Sequence, residues 1–141
     1  MTTPEPQAAS ERELCALVDD LSRQIGDHER ERAVLVGLTR PQANALRELT
    51  GPLTMRELAD RTGCEPSNTT FVIDRLEGQG LVERRPHPTD RRAKQLVLTP
   101  AGVELRARLV ELFKQDSPLA QLTGEEQRML RGLLERALRR R

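Results

Sequence analysis

The stretch M-R-E-L-A-D-R-T-G-C-E-P-S-N-T-T-F-V-I-D-R-L-E-G-Q-G-L-V-E-R-R-P-H-P-T-D-R-R-A-K-Q-L-V-L-T-P-A-G, running from Met55 to Gly102, leaves few folds open. Thr54-Met55-Arg56-Glu57 has the spacing of a capping box, in which a hydroxyl and a carboxylate satisfy first-turn amides. It starts a short helix that Gly63 stops. Glu65-Pro66 starts a second helix, because proline fits a first turn where its missing N–H would have no partner. Gly80 ends that one. Leu81–Arg85 and Gln95–Thr99 read as two short strands joined by a long basic loop. Helix, turn, helix, strand, basic loop, strand is the order of a helix-turn-helix with a β-wing. Each part has a physical job on a DNA duplex, and none has an evident job in catalysis.

Helical spacing divides the second helix of this unit into two faces. Thr69, Val72, Ile73 and Leu76 recur at i, i+3, i+4 and i+7 and form the inward stripe. Ser67, Asn68, Thr70, Phe71, Asp74 and Arg75 make up the outer face. Short donors and acceptors near a helix N-terminus can reach base edges when the helix lies in a major groove. Asn68 suits adenine, and Arg75 suits guanine or a phosphate. Phe71 has two readings: its ring touches thymine methyls, or it tucks against the wing or the preceding helix. The wing candidates are Arg84, Arg85, His87, Asp90, Arg91, Arg92 and Lys94. Pro86 and Pro88 stiffen the loop, and its arginines suit the negative potential of a narrow minor groove. Asp90 would repel a phosphate, so its expected role is to orient Arg91 or Arg92 by an ion pair.

The rest of the chain reads as helices. Met1–Ala9 is polar, contains proline and is expected to be a disordered lead-in. Ser10 begins S-E-R-E, a second capping box, and Leu14, Leu17, Val18, Leu21 and Ile25 follow at helical spacing to about Val36. Thr39-Arg40-Pro41-Gln42 caps a further helix that Gly51-Pro52 stops. Thr99-Pro100 and Thr123-Gly124-Glu125-Glu126 open two more, the last carrying Leu130, Leu133, Leu134 and Leu138. The expected fold is therefore mainly α, an α+β winged helix of six helices with a two-stranded wing. Residues 10–38 form an N-terminal dimerisation helix, 39–100 the winged helix-turn-helix and 101–141 the C-terminal dimerisation helices. The small middle unit cannot cover the apolar faces of the flanking helices, and a second copy of the chain is the economical partner. Leu14, Leu17, Leu21, Leu130, Leu133, Leu134 and Leu138 are the expected interface.

Charge supports this division. The net charge is only +1 over 141 residues. Yet Arg84–Lys94 carries five positive residues against one negative, and Glu11–Glu31 carries seven acidic residues against three basic. Such unevenness says more about partners than the total does. No apolar run reaches membrane-spanning length and no signal-peptide core follows Met1, so a cytoplasmic location without membrane contact is expected. Cys15 and Cys64 lie far apart without Cys or His neighbours, which argues against a metal site or a disulfide framework; no cofactor is expected. His28 and His87 stand beside no credible nucleophile or metal set, which argues against an enzyme.

E-P-S-N-T-T-F-V-I-D-R-L-E, then G-L-V-E-R-R, then D-R-R with L-T-P-A-G behind it, resembles the MarR family of bacterial winged-helix transcription regulators. The family's wing signature, D-x-R followed by a strand ending L-T, falls on Asp90, Arg92, Leu98 and Thr99. The resemblance implies an obligate homodimer joined through its N-terminal and two C-terminal helices. It implies binding to a pseudo-palindromic operator, usually as a repressor released by a small-molecule effector or an oxidant. Ser67, Asn68, Thr69, Thr70 and Arg75 then serve the recognition helix, and Arg92 is the minor-groove finger. Position 71 usually holds Arg or a small residue, and Phe71 departs from that. Cys15, preceded by Leu14, stands in a place comparable to that of the thiol of the peroxide-sensing branch and is the candidate redox residue; the tyrosines that support that thiol are absent and Glu11, Asp19 and Asp20 disfavour a thiolate, so the other reading is a buried structural cysteine. The reading from another class is a winged-helix protein-interaction module without DNA contact, distinguished by a flat response of duplex binding to salt.

Overall fold

The computed structural model describes the backbone of residues 5–139, with side chains from Ser10 onward. Among the described residues, six helices and three strands follow in the order α1 (Glu5–Leu35), α2 (Arg40–Glu48), β1 (Leu53–Thr54), α3 (Met55–Thr62), α4 (Pro66–Gly78), β2 (Val82–Pro86), β3 (Lys94–Leu98), α5 (Pro100–Lys114) and α6 (Gly124–Leu138). They divide into two compact units, residues 29–113 and residues 1–28 with 114–141.

Helix starts fall where the caps place them. Thr39, Thr54 and Thr123 each accept from the backbone N–H three residues on, and Gln42, Glu57 and Glu126 each accept from the cap's own N–H in return. Gly63 closes α3 in the left-handed conformation, with φ of 69°. The N-terminal lead-in is a correction. Glu5–Ala9 is already helical, and Ser10 lies inside α1 rather than capping it. Pro6 sits in the first turn, where no backbone bond is lost, and Ala8 and Ala9 favour helix. Residues 1–4 lie outside the described residues.

The sheet has three antiparallel strands in the order β1-β3-β2, one more than expected. β2 and β3 form the wing hairpin, pairing Val82 with Leu98 through Pro86 with Lys94. The added strand is only Leu53 and Thr54, opposite Leu96 and Gln95. It ties the start of α3 to the root of the wing. The core of this unit gathers Leu46, Leu49, Leu58, Ile73, Leu76, Val82, Leu96 and Leu109, all nearly inaccessible to solvent. Gly102 lets α5 leave the sheet at close range. A Cβ there would meet the Leu81 carbonyl oxygen at 2.0 Å, so the glycine of L-T-P-A-G is required by contact rather than by backbone angle. Thr99 completes the joint by donating from its hydroxyl to the Gly80 carbonyl at 2.6 Å and from its amide to Leu81 O at 3.1 Å.

An ionic knot in this unit had no local signature in the sequence. Glu29 is 6% exposed, and its carboxylate accepts from Arg40 Nε at 3.0 Å and from Arg47 at 2.8 Å. Arg47 also donates to Asn44 Oδ1 and lies over the Phe113 ring, 4.9 Å from its centroid. The Arg106 Nε donates to the Arg47 carbonyl at 2.9 Å. A buried carboxylate is tolerable only when paired and hydrogen-bonded in this way.

The unit of residues 1–28 and 114–141 has a different surface. Leu14, Leu17 and Val18 of α1 are exposed, and so are Met129, Leu133, Leu134 and Leu138 of α6. Leu21 and Leu130 are half-buried. No residue of α6 is buried, although its apolar side chains keep the spacing of one helix face.

Candidate DNA interface

Helix α4 presents the outer face that its periodicity required. Ser67, Asn68, Thr70, Phe71, Asp74 and Arg75 are exposed, while Ile73 and Leu76 are fully buried. Thr69 is a correction to the predicted contacts. It is 3% exposed, and its hydroxyl donates to the Glu65 carbonyl at 3.1 Å, so it packs inward with Ile73 and cannot touch a base. The Thr70 hydroxyl, on the exposed side, donates back to Pro66 O at 3.0 Å. Glu65 gives no side-chain cap to α4, which leaves first-turn amides open to an external acceptor such as a phosphate.

The wing residues fall into two groups. Arg84 belongs to the fold as much as to the surface. Its guanidinium pairs with Asp74 and lies 3.8 Å from Glu77, bracing β2 against α4. Arg85 pairs with Glu83 at 3.0 Å on the same strand. Arg91, Arg92 and Lys94 are exposed and enter no ion pair among the described residues. Asp90 departs from its expected role. Its carboxylate accepts from the backbone N–H of Arg92 at 3.0 Å, not from a guanidinium, and so shapes the turn that carries the arginines. His87 does similar work, as its Nδ1 accepts from the amides of Thr89 at 3.2 Å and Asp90 at 3.1 Å. Sequence reasoning placed both residues in the wing but missed that they build the loop tip, because such side-chain-to-backbone bonds resemble any other polar residue in a loop.

The start of α3 and the wing border an open cleft of about 480 Å³ that runs along β3 toward the hairpin loop. Arg56, Arg84, Arg92 and Lys94 line it beside Met55 and Leu96. Arg84 is already paired with Asp74, and the other three cations, which enter no ion pair among the described residues, concentrate positive potential on this side of the unit. Nearby, Glu57 of α3 is held below the ordinary carboxylate range, chiefly by the backbone N–H of Thr54 and then by its hydroxyl, with Arg61 and His87 adding smaller effects. Cys15 is exposed and Cys64 half-buried; both are free thiols. The described residues hold no cluster of His, Cys, Asp and Glu suited to a metal ion. No described helix is long and apolar enough to cross a membrane.

The sequence model of the MarR family matches residues 38–94, the stretch that holds the helix-turn-helix and the wing. The uncharacterized HTH-type transcriptional regulator YfiV of Bacillus subtilis is 31% identical over 138 residues, covering 93% of this chain and 86% of that protein. The chain belongs to the MarR family. A regulatory protein assigned to the hcr operon of Thauera aromatica is 37% identical over 89 residues. That match covers 62% of this chain and 54% of the relative, so it spans about half of the Thauera protein. Among solved structures, a cysteine-to-serine mutant of MarR from E. coli complexed with operator DNA superposes with a TM-score of 0.74 at 26% identity, covering 89% of this chain and 94% of that one. MarR-family proteins are transcriptional regulators, not enzymes, and this winged helix-turn-helix chain is a DNA-binding regulator of that kind.

Proposed function

We propose that the protein acts in the cytoplasm as a homodimeric repressor that holds a pseudo-palindromic operator and lets go when a small-molecule effector binds. Ser67, Asn68, Thr70, Phe71 and Arg75 enter the major groove, and Arg91 and Arg92 reach the adjacent minor groove. The observation that carries this reading is the shared exposure of these side chains beside Arg91 and Arg92, which enter no ion pair among the described residues, on a helix whose Ile73 and Leu76 are buried in the core. The dimer is supported by the exposed leucines of α1 and α6, and by the need for two reading heads to cover two half-sites. Family membership supports repression and effector release.

The test is operator binding by fluorescence anisotropy, with the operator first selected from genomic fragments. Affinity should fall steeply with salt, with a slope near 0.9 per phosphate neutralised. Arg92→Ala should weaken binding by roughly tenfold while leaving the circular dichroism unchanged. Unchanged affinity in Arg92→Ala removes the wing from the interface, and a flat salt response removes DNA as the partner.

A further inference from the structure

Two side chains on the outer face of α4 are already joined before any DNA arrives. The Arg75 guanidinium lies over the Phe71 ring, 5.0 Å from its centroid. Phe71 is 60% exposed, so it is not tucked against the wing or α3. The two residues stand at i and i+4, one turn apart on the same face as Ser67 and Asn68. Arg75 also keeps its N–H donors unspent. The neighbouring carboxylates of Asp74 and Glu77 are both engaged by Arg84, and Arg75 makes no ion pair among the described residues. A guanidinium steadied by an aromatic ring, with its donors free, is prepared for the two-pronged bond to guanine O6 and N7.

We propose that Phe71 and Arg75 act as one reader of two adjacent base pairs. Arg75 donates to a guanine, and Phe71 packs on the methyl of the neighbouring thymine while holding the arginine in place. Successive bases on a strand are about 3.4 Å apart along the axis, so groups 5.0 Å apart fall on neighbouring pairs rather than distant ones. Phe71 is thus a specificity residue toward thymine and a positioning residue toward guanine. The inference rests on the major-groove placement of α4 proposed above.

The experiment uses the full chain and its selected operator. Thymine is replaced by uracil, which deletes only the methyl, and guanine by 7-deazaguanine, which deletes only the N7 acceptor. Each penalty is a ratio within one protein variant, so changes in overall affinity cancel. The wild type should lose about fourfold on the uracil duplex and roughly tenfold on the deazaguanine duplex. Phe71→Ala should be indifferent to uracil, and its deazaguanine penalty should shrink by about two- to fivefold. Phe71→Tyr keeps the ring and should retain both penalties. Phe71→Leu should keep the methyl penalty and lose part of the guanine one. Full penalties in Phe71→Ala, or an operator without guanine beside thymine in either half-site, overturns the paired reader alone. A wild type indifferent to both base changes also overturns the paired reader alone, whereas a wild type that binds the selected operator no better than a scrambled duplex fails the operator reading itself and this inference with it.

Discussion

Every buried apolar side chain among the described residues lies between Ala33 and Phe113, and none lies in residues 10–28 or 114–139. The flanking segments are not short of such side chains. Leu17 is 65% exposed, Leu133 56% and Leu138 75%. One unit therefore closes its core with its own residues, while the other displays a leucine face that nothing in the described chain covers. A monomer has little reason to keep several large apolar groups in water along helix faces, and a symmetric partner supplying the same groups is the simplest cover. The contrast separates two requirements. The reading head needs a rigid body that folds within one chain, and the proposed dimer needs helices that stay incomplete until a second chain arrives.

The largest effect should come from the leucine face. Leu133→Asp places a charge on that face and should give a folded monomer with operator affinity down at least a hundredfold, because a single head covers one half-site. Sedimentation velocity beside anisotropy checks this, and a mutant that stays dimeric breaks the contrast. Next comes the ionic knot of the self-sufficient unit. Glu29→Ala leaves two arginines facing an empty buried site and should lower unfolding stability by about 3 kcal/mol in urea titrations. Its partners Arg40 and Arg47 keep 40% and 35% of their side chains exposed, which places the cost at the lower end for such pairs.

A smaller effect is expected at the wing tip. His87→Ala removes the acceptor for two loop amides and should speed hydrogen exchange at Thr89 and Asp90, with operator affinity falling about twofold. His87→Asn, which can accept in the same turn, should restore most of both. Similar behaviour of the two variants would mean that the ring contacts DNA rather than shaping the loop. The smallest effect concerns Glu57. Its carboxyl is held below the ordinary range by the Thr54 hydrogen bonds. A depressed folded value gives stability that is present above the unfolded value and lost as pH falls through the folded one. The melting temperature of the wild type should therefore fall more steeply on acidification below about pH 4.5 than that of Glu57→Gln, which keeps an acceptor but does not titrate. Parallel curves would show that the capping box does not feel the charge.

The sequence alone determined the order of helices, the caps at Thr39, Thr54 and Thr123, the stop at Gly63 and the inward stripe of α4. These depend on bonds and spacings that span a few residues, and a linear reading sees those directly. It also located the arginine-tipped hairpin, since a turn is local too. Tertiary structure alone decided the pairing of Leu53 with Leu96, the burial of Glu29 between Arg40 and Arg47, and the capture of Arg84 by Asp74 and Glu77. The close approach of Leu81 to Gly102 belongs with them. Each joins groups on different elements, and such a pair exists only once the fold has brought those elements together. That is why the candidate contacts could be named from the residues, while the division of the wing arginines into struts and open donors had to be read from the fold.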